Sequence, residues 1–276
     1  TVRNSFASNV GGIFNEGELT LSNSTLTGNF ATNGGGMANY NDLTVTDTTF
    51  TGNRGSVGGG IYNAGTASFT DTTLSGNTSN FDGGGIFNNS DSAAAFTTST
   101  ITGNTANDEG GGIYNVGTTT VINTEISGNF AQFNGGGINN LGTADLVNST
   151  VSDNSANFDG GGIENLGIAN LVNVTVSANT ANFDGGGLDN SGTATLLHST
   201  VNGNSANSGG GISNRGTTSL TNSILANSED GGDLDHNNGT INARSSLIEN
   251  DADQINGTNL GNITGQDPLL SPLQDN

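Results

Sequence analysis

The sequence is poor in residues that crosslink proteins or bind polyanions. Its 276 residues include no cysteine, no tryptophan and no lysine, and only four arginines. The lack of thiols excludes disulfide bonds and thiolate metal sites. The 25 acidic residues give a formal net charge of −21. Nucleic acid and anionic membranes are therefore not expected as partners, because contacts to phosphate need Lys and Arg.

The sequence also lacks long apolar runs and the apolar spacing typical of helices. No stretch is long enough for a membrane span or has the form of a signal peptide, so direct membrane insertion is not expected. Apolar residues do not recur at i, i+3, i+4 and i+7, which argues against a helical solenoid. Proline occurs only at Pro268 and Pro272, which predicts a C-terminal tail that makes no ladder hydrogen bonds.

The dominant feature of the sequence is a repeat. Residues 157–179 read NFDGGGIENLGIANLVNVTVSAN, and residues 182–204 read NFDGGGLDNSGTATLLHSTVNGN. A fixed period of this size predicts a solenoid, in which each repeat contacts only its neighbours. The apolar residue after each glycine run, here called the anchor, recurs at steps of 24 to 27 residues: Ile13, Met37, Ile61, Ile86, Ile113, Ile138, Ile163, Leu188 and Ile212.

Each repeat contains three short runs with strand character. Typical runs are Gly-Ile-x-Asn, Gly-Thr-Ala-x-Leu and Ser-Thr-Val-Ser, which are rich in Thr and Val and bounded by Gly and Asn. Three strands in about 25 residues predict one coil of a parallel β-helix, with coils stacked about 4.8 Å apart. The predicted fold class is all-β, a parallel β-solenoid with three strands per coil and about 10–11 coils of ~25 residues.

The repeat also predicts how the chain is divided. The β-helix is expected over residues 1–248, with a partial first coil at 1–10, regular coils at 11–227 and an irregular coil at 228–248. Residues 249–276 are expected to form an irregular turn and an extended tail. Because the end of a solenoid exposes unpaired strand edges, the first coil motivates the hypothesis of end-to-end assembly.

Stacking of like residues predicts four inward apolar columns and two asparagine columns at the corners. One inward column is expected to pass through Val151, Val176, Val201 and Ile224. Asparagine suits a sharp corner because it tolerates the left-handed conformation, and stacked amides bond from coil to coil. The predicted structural ladders are Asn77, Asn104, Asn129, Asn154, Asn179 and Asn204 at one corner, and Asn115, Asn140, Asn165 and Asn190 at the other.

Two units of the repeat resemble a known family. GGGIxN and (Ile/Val)-x-Gly-Asn-x-Ala are similar to repeats of right-handed parallel β-helix proteins on bacterial surfaces, in particular the polymorphic outer membrane protein repeats with their GGA-Ile and Phe-x-x-Asn tetrapeptides. This chain has GGGI in place of GGAI. Residues 266–276 resemble the segment that closes such arrays in large secreted proteins, many of them cyanobacterial. The resemblance implies a right-handed coil and an extracellular or cell-surface location, but no particular activity.

Acidic residues recur at equivalent positions of neighbouring coils. Asp159 and Asp184 form one such pair, and Glu164 and Asp189 form another. Like charges stacked about 5 Å apart are destabilising unless a cation lies between them, and calcium prefers such oxygen ligands. These four residues are therefore candidate calcium ligands; the alternative is a solvated acidic face. No other cofactor is expected.

Aromatic residues recur in two outward columns. Phe14, Tyr62, Phe87 and Tyr114 follow their anchors, where an exposed ladder could contact a sugar or a protein partner. A second set precedes the glycine runs, at Phe81, Phe133, Phe158 and Phe183. The alternative for both sets is structural, because stacked rings also stabilise a solenoid by packing on each other.

Catalysis and ice binding are weaker hypotheses. No catalytic residue is assigned, since active sites usually break a repeat and this one is nearly seamless. Outward Thr pairs such as Thr25 and Thr27 resemble ice-binding solenoids, but the pairs decay along the chain. The predicted role is a structural or adhesive rod of an extracellular or cell-surface bacterial protein. Its expected partners are further copies of itself or a surface polysaccharide; the alternative is a carbohydrate-binding or carbohydrate-cleaving β-helix.

Overall fold

Short strands of two to five residues build the fold, and each pairs in parallel with strands of the coils before and after it. The structure, a computed structural model, describes residues 1–270. Ile61 pairs with Met37 on one side and with Ile86 on the other, so the anchors stack in register. The predicted parallel β-solenoid, with about ten turns of about 25 residues, is confirmed. The prediction of three strands per coil is wrong, because the strands form four sheets.

Sheet I contains the anchor strands and has ten members. The anchor points inward, the next residue outward, and the corner asparagine inward again, as in Ile113, Tyr114 and Asn115. Its strands are Ile13–Asn15, Met37–Asn39, Ile61–Asn63, Ile86–Asn88, Ile113–Asn115, Ile138–Asn140, Ile163–Asn165, Leu188–Asn190, Ile212–Asn214 and Leu234–Asp235.

Sheet II contains the Thr-Ala-x-Leu strands and has eleven members. The second and fourth residues of each five-residue strand are buried, as in Ala144 and Leu146, which matches the period of a pleated strand. Its strands are Leu19–Ser22, Asp42–Thr46, Thr66–Thr70, Ala93–Thr97, Thr118–Ile122, Thr143–Val147, Ile168–Val172, Thr193–Leu197, Thr217–Thr221, Thr240–Arg244 and Asn259–Leu260.

Sheet III contains the Thr-Val-Ser strands and has twelve members. Only the middle residue of a regular strand points into the core, as Val201 does. Its strands are Val2–Arg3, Thr25–Thr27, Thr49–Thr51, Thr73–Ser75, Thr100–Thr102, Glu125–Ser127, Thr150–Ser152, Thr175–Ser177, Thr200–Asn202, Ile224–Ala226, Leu247–Ile248 and Ile263–Thr264.

Sheet IV follows the asparagine corner and was not predicted. Most of its seven strands have only two residues, such as Thr105–Ala106, too few for an alternating pattern to be recognised. The second residue of each two-residue strand, which is alanine in all but Thr78–Ser79, is buried and adds a fifth inward column. Its strands are Phe30–Asn33, Arg54–Val57, Thr78–Ser79, Thr105–Ala106, Phe130–Ala131, Ser155–Ala156 and Thr180–Ala181.

The core is a narrow column of stacked apolar side chains. Phe69 stacks on Phe96 inside it, with ring centroids 4.6 Å apart. Ile224 does not continue the sheet III column as predicted. It pairs with the outward Thr200, while Leu225 pairs with Val201 and is fully buried. The register of the parallel strand, and not the size of the side chain, decides which residue points inward.

Glycine is required where the loop before the anchor folds over sheet I. Gly135 has φ +67°, which L side chains rarely adopt, and a Cβ on Gly136 would lie 2.4 Å from the carbonyl oxygen of Gly161. Neighbouring coils therefore approach each other too closely for any larger residue at the middle glycine. This explains the repeated triple glycine without a ligand.

The two asparagine columns form continuous ladders of hydrogen bonds. In the first, the Asn154 side chain donates to Asn179 Oδ1 at 3.0 Å and to the Ile126 carbonyl at 3.0 Å. Its own Oδ1 accepts from the Asn129 backbone amide at 3.0 Å and the Asn129 side chain at 2.9 Å. The second ladder repeats amide-to-amide bonds of 2.7–2.8 Å, from Asn15 to Asn214. Each buried asparagine side chain therefore finds its hydrogen-bond partners on the asparagines of adjacent coils and on nearby backbone carbonyls.

The C-terminal region continues the sheets less regularly. A single 3₁₀ turn, Ala252–Gln254, precedes the last strands of sheets II and III. The part of the predicted tail from residue 271 onward, including Pro272, lies outside the described residues. Among residues 1–270, no helix is long and apolar enough to cross a membrane.

We predict that Asn154→Ala destabilises the solenoid by at least about 3 kcal/mol. The change removes the acceptor of the Asn129 backbone amide and of one Asn129 side-chain N–H, and it removes the donor to the Ile126 carbonyl; each such loss in a buried site costs about 1–3 kcal/mol. Urea unfolding followed by circular dichroism measures the effect.

The matched control is Thr120→Ala on the outer face of sheet II, where the paired residue of the preceding coil is Ala95. It should change the stability by no more than about 0.5 kcal/mol. Equal effects of the two substitutions would show that the ladder does not hold the coils together.

Candidate functional site

The outer face of sheet I changes character along the rod. In the first five coils the residue after the anchor is mostly aromatic. In the next four coils it is polar and buried, with at most 4% of its surface exposed. We call Phe14, Tyr40, Tyr62, Phe87 and Tyr114 the aromatic ladder. We call Asn139, Glu164, Asp189 and Ser213 the polar file, in which each residue pairs with the next.

The aromatic ladder contains the four predicted contact residues and one that was missed. Ala38 leaves a gap in the column, and the Tyr40 ring fills it. The centroid of the Tyr40 ring lies 5.4 Å from that of Phe14 and 5.7 Å from that of Tyr62. Tyr40 was missed because it does not occupy the periodic position. Tyr62, Phe87 and Tyr114 stack face to face at 5.5 and 5.1 Å. Their faces are therefore covered by each other, and a ligand could reach mainly their edges.

The polar file is buried beneath the glycine loops, although its positions face out of the sheet. A Cβ on Gly160 would lie 2.7 Å from the Cα of Glu164, and one on Gly185 would lie 2.5 Å from the Asp189 nitrogen. Glu164 is 4% exposed and Asp189 is fully buried. These two candidate calcium ligands therefore do not form the solvated face considered as the alternative.

The other two predicted ligands lie in the loops that cover the polar file. The Asp184 backbone amide donates to Asp159 Oδ1 at 3.0 Å, and the Asp159 amide donates to Asn134 Oδ1 at 3.2 Å. The Asn134 and Asp159 side chains thus each hold the loop of the following coil in place. The structure consequently brings all four predicted residues together, with one pair above the other.

Arg215 is the basic residue of this cluster. Its guanidinium donates to Asp184 at 2.8 Å and also to Asp189, and it lies 3.7 Å from Asp159. Its Nε donates to Ser191 Oγ at 3.1 Å. No pattern in the sequence indicates this role, because the equivalent positions of earlier coils carry Val116, Leu141 and Leu166. One cation therefore faces four carboxyl groups.

Burial dominates the ionisation of the paired carboxyls. It raises the pKa of Glu164 well above its ordinary value, and the neighbouring Asp189 charge raises it further. Burial also raises the pKa of Asp189, while the charge of Arg215 partly offsets the increase. Because two adjacent buried carboxylates repel each other, Glu164 holds a proton at neutral pH.

A second acidic cluster lies nearer the N-terminus, at Asp82, Asp108 and Glu109. Burial raises the pKa of Asp82 to about 6, against a hydrogen bond from the Glu109 amide. The Asn134 side chain donates to Glu109 Oε1 at 2.9 Å. Burial and the nearby carboxylates raise the pKa of Tyr114 to about 12. Among the described residues, no ion pair involves these three acids.

The second set of aromatic residues is exposed. Phe133, Phe158 and Phe183, here called the phenylalanine ladder, have 41–50% of their surfaces exposed. Their centroids are 5.1 and 5.3 Å apart. Asp108 interrupts the column and separates Phe81 from the other three, because the Phe133 amide bonds to the Asp108 carbonyl. The ladder lies beside the loop acids Asp159 and Asp184.

The calcium assignment stays a prediction. Across the described part of the chain, no group of three or more His, Asp or Glu side chains is arranged to hold a metal ion. A cation at this cluster would need two carboxyls together with neutral oxygens. No histidine lies in the polar file.

Fold and repeat together define a parallel β-helix repeat protein. The repeat model of Chlamydia polymorphic membrane proteins matches residues 47–64 and 98–116, each covering a sheet III strand, the asparagine corner, the glycine loop and an anchor strand. The chain thus resembles polymorphic membrane protein repeats, a match that suggests a surface or outer-membrane-associated protein. Comparisons with curated proteins and with solved structures gave no match.

We predict that Glu164→Gln stabilises the protein increasingly as the pH rises. The folded chain keeps a proton on Glu164 that the unfolded chain releases near pH 4.5. Above that pH the folded state binds more protons than the unfolded state, so wild-type stability falls as the pH rises. The amide has no proton to lose, and its melting temperature should exceed that of wild type by a growing margin from about pH 5 to about pH 9.

Thermal melts in a chelating buffer test this, with Asp153→Asn as the control. Asp153 is exposed at a left-handed corner position that asparagine tolerates, so this change alters the net charge equally without touching the buried pair. Parallel pH curves for wild type and Glu164→Gln would contradict the protonated state of Glu164.

Proposed function

We propose that this chain is a stiff rod within an extracellular or cell-surface bacterial protein, where it serves as a spacer or adhesive stalk. The observation that carries the proposal is the unbroken register between coils. Strand pairing continues from Val2 in the first sheet III strand to Thr264 in the last. The asparagine ladders run alongside it, so bending the rod would break backbone and side-chain bonds together.

The surface chemistry supports this role. A net charge of −21 keeps neighbouring rods apart and in solution. The similarity to polymorphic membrane protein repeats supports a surface location. A rod with this continuous strand pairing can hold two other parts of a protein at a fixed distance. That role needs neither a binding cavity nor a mobile segment.

The same geometry gives little support to catalysis. Glu164 and Asp189 are the adjacent carboxyls that most resemble an acid–base pair, yet both are buried beneath the loops. Asp159 and Asp184 are partly exposed, but Arg215 lies against both. A polysaccharide could not reach the first pair, and the second pair is held by an ion pair.

We predict a rigid particle about 50 Å long, from about ten coils at about 4.8 Å each. Small-angle X-ray scattering should give the pair-distance distribution of a cylinder. A compact, nearly spherical distribution would contradict the rod.

Negative-stain electron microscopy of the same sample tests end-to-end assembly. Fibres with a repeat near the length of one chain would support a filament, whereas single short rods with and without calcium would contradict self-assembly. The formation or absence of fibres does not affect the scattering test for the rod shape of the single chain.

A second candidate function is polysaccharide binding, favoured by the exposed phenylalanine ladder. Three rings in a row about 5 Å apart offer a narrow apolar strip bordered by Asp159 and Asp184, which accept hydrogen bonds from sugar hydroxyls. The Phe14 end of the aromatic ladder, 49% exposed, offers similar chemistry on a smaller surface. Tyr62, Phe87 and Tyr114 contribute mainly ring edges there.

We predict that Phe158→Ala and Phe183→Ala weaken retardation by a bound polysaccharide at least about fivefold in affinity electrophoresis, since each deletion removes part of the exposed apolar strip. Phe81→Ala is the matched control, because Phe81 is equally exposed but lies outside the ladder. Retention of wild-type mobility shifts by both variants, or no retardation by any polysaccharide tested, would contradict this function.

A further inference from the structure

The polar file contains buried polar atoms that the protein leaves without hydrogen-bond partners. They include Glu164 Oε2, Asp189 Oδ1, Ser213 Oγ and both side-chain polar atoms of Asn139. All four residues are at most 4% exposed. Buried polar groups are normally paired, and an unpaired one costs about 1–3 kcal/mol. Unpaired atoms on consecutive residues of one column therefore point to a ligand that binds within this column.

The chemistry of these atoms favours a hard cation. Four of the five unpartnered atoms are oxygens, which calcium prefers. Glu164 and Asp189 pair directly on adjacent strands. Strands lie about 4.8 Å apart, and calcium binds oxygen at about 2.3–2.6 Å, so an ion midway between paired carboxyls reaches both.

The charge balance also favours a cation. Glu164, Asp189, Asp159 and Asp184 face one guanidinium, that of Arg215. Arg215 contacts Asp189 Oδ2, and Asp189 Oδ1 remains without a partner. The guanidinium thus neutralises the outer part of the cluster and leaves the inner oxygens unmatched.

We propose that the polar file binds a divalent cation of the calcium class between Glu164 and Asp189. Arg215 acts as a tethered competitor that weakens binding. The ion ties the coils of Ile163 and Leu188 together and displaces one proton from Glu164 into solvent. This site is independent of the rod and of sugar binding.

Isothermal titration of the full chain with calcium chloride, after removal of metal by a chelator, tests the proposal. Wild type should bind saturably, and the melting temperature should rise with calcium. Glu164→Gln and Asp189→Asn should each weaken binding at least about tenfold, because each removes a charged ligand. Arg215→Gln should strengthen it, because the competing cation is lost.

Asp82→Asn is the matched control. It removes one charge from the second acidic cluster, outside the polar file, and should leave calcium affinity within about twofold of wild type. Because Glu164→Gln is expected to be at least as stable as wild type at neutral pH, loss of binding there cannot be attributed to unfolding. The proposal is overturned if wild type shows no saturable uptake, if Glu164→Gln and Asp189→Asn both keep wild-type affinity, or if Asp82→Asn weakens binding as much as they do.

Discussion

Parallel pairing of each strand with its equivalent in the next coil is the constraint on which the whole structure depends. It fixes the distance between coils at about 4.8 Å and places every residue directly against the residue one repeat later. Such columns can be filled only by side chains that pack on, or form hydrogen bonds with, a similar side chain in the next coil. Anchors such as Ile138 and Ile163 do so by packing, and Asn154 and Asn179 do so because an amide both donates and accepts.

Carboxyl groups respond differently to the same constraint. A carboxylate only accepts hydrogen bonds, so stacking Glu164 on Asp189 gives repulsion where stacked asparagines give a bond. The protein relieves the repulsion in two visible ways. Glu164 has a raised pKa and holds a proton, and Arg215 reaches back from its own coil to contact Asp184 and Asp189. Glu164 Oε2 and Asp189 Oδ1 still lack partners, and this is the reason for proposing a bound cation as a third way of relieving the repulsion.

Residues with strong periodicity could be predicted from the sequence, and those that depend on loop geometry could not. The anchors and asparagine corners recur often enough to fix the coil. Sheet IV was missed because Thr-Ala pairs are too short to show alternation, and Ile224 was misplaced because Leu225 beside it is equally apolar. The burial of Glu164 depends on the loop at Gly160, which closes over an outward position. The repeat period identifies which residues stack in one column, but it does not show whether a loop covers that column.

The outer column of sheet I divides an otherwise uniform rod into two regions. Up to Tyr114 the column holds rings that stack on one another. From Asn139 to Ser213 it holds buried polar groups, under loops that include Phe133, Phe158 and Phe183. The aromatic contact therefore moves from the sheet to the loop where the column becomes polar. Since the backbone register does not change across this boundary, side-chain chemistry alone distinguishes the two regions. A partner that recognises the rod can bind one region without deforming the other.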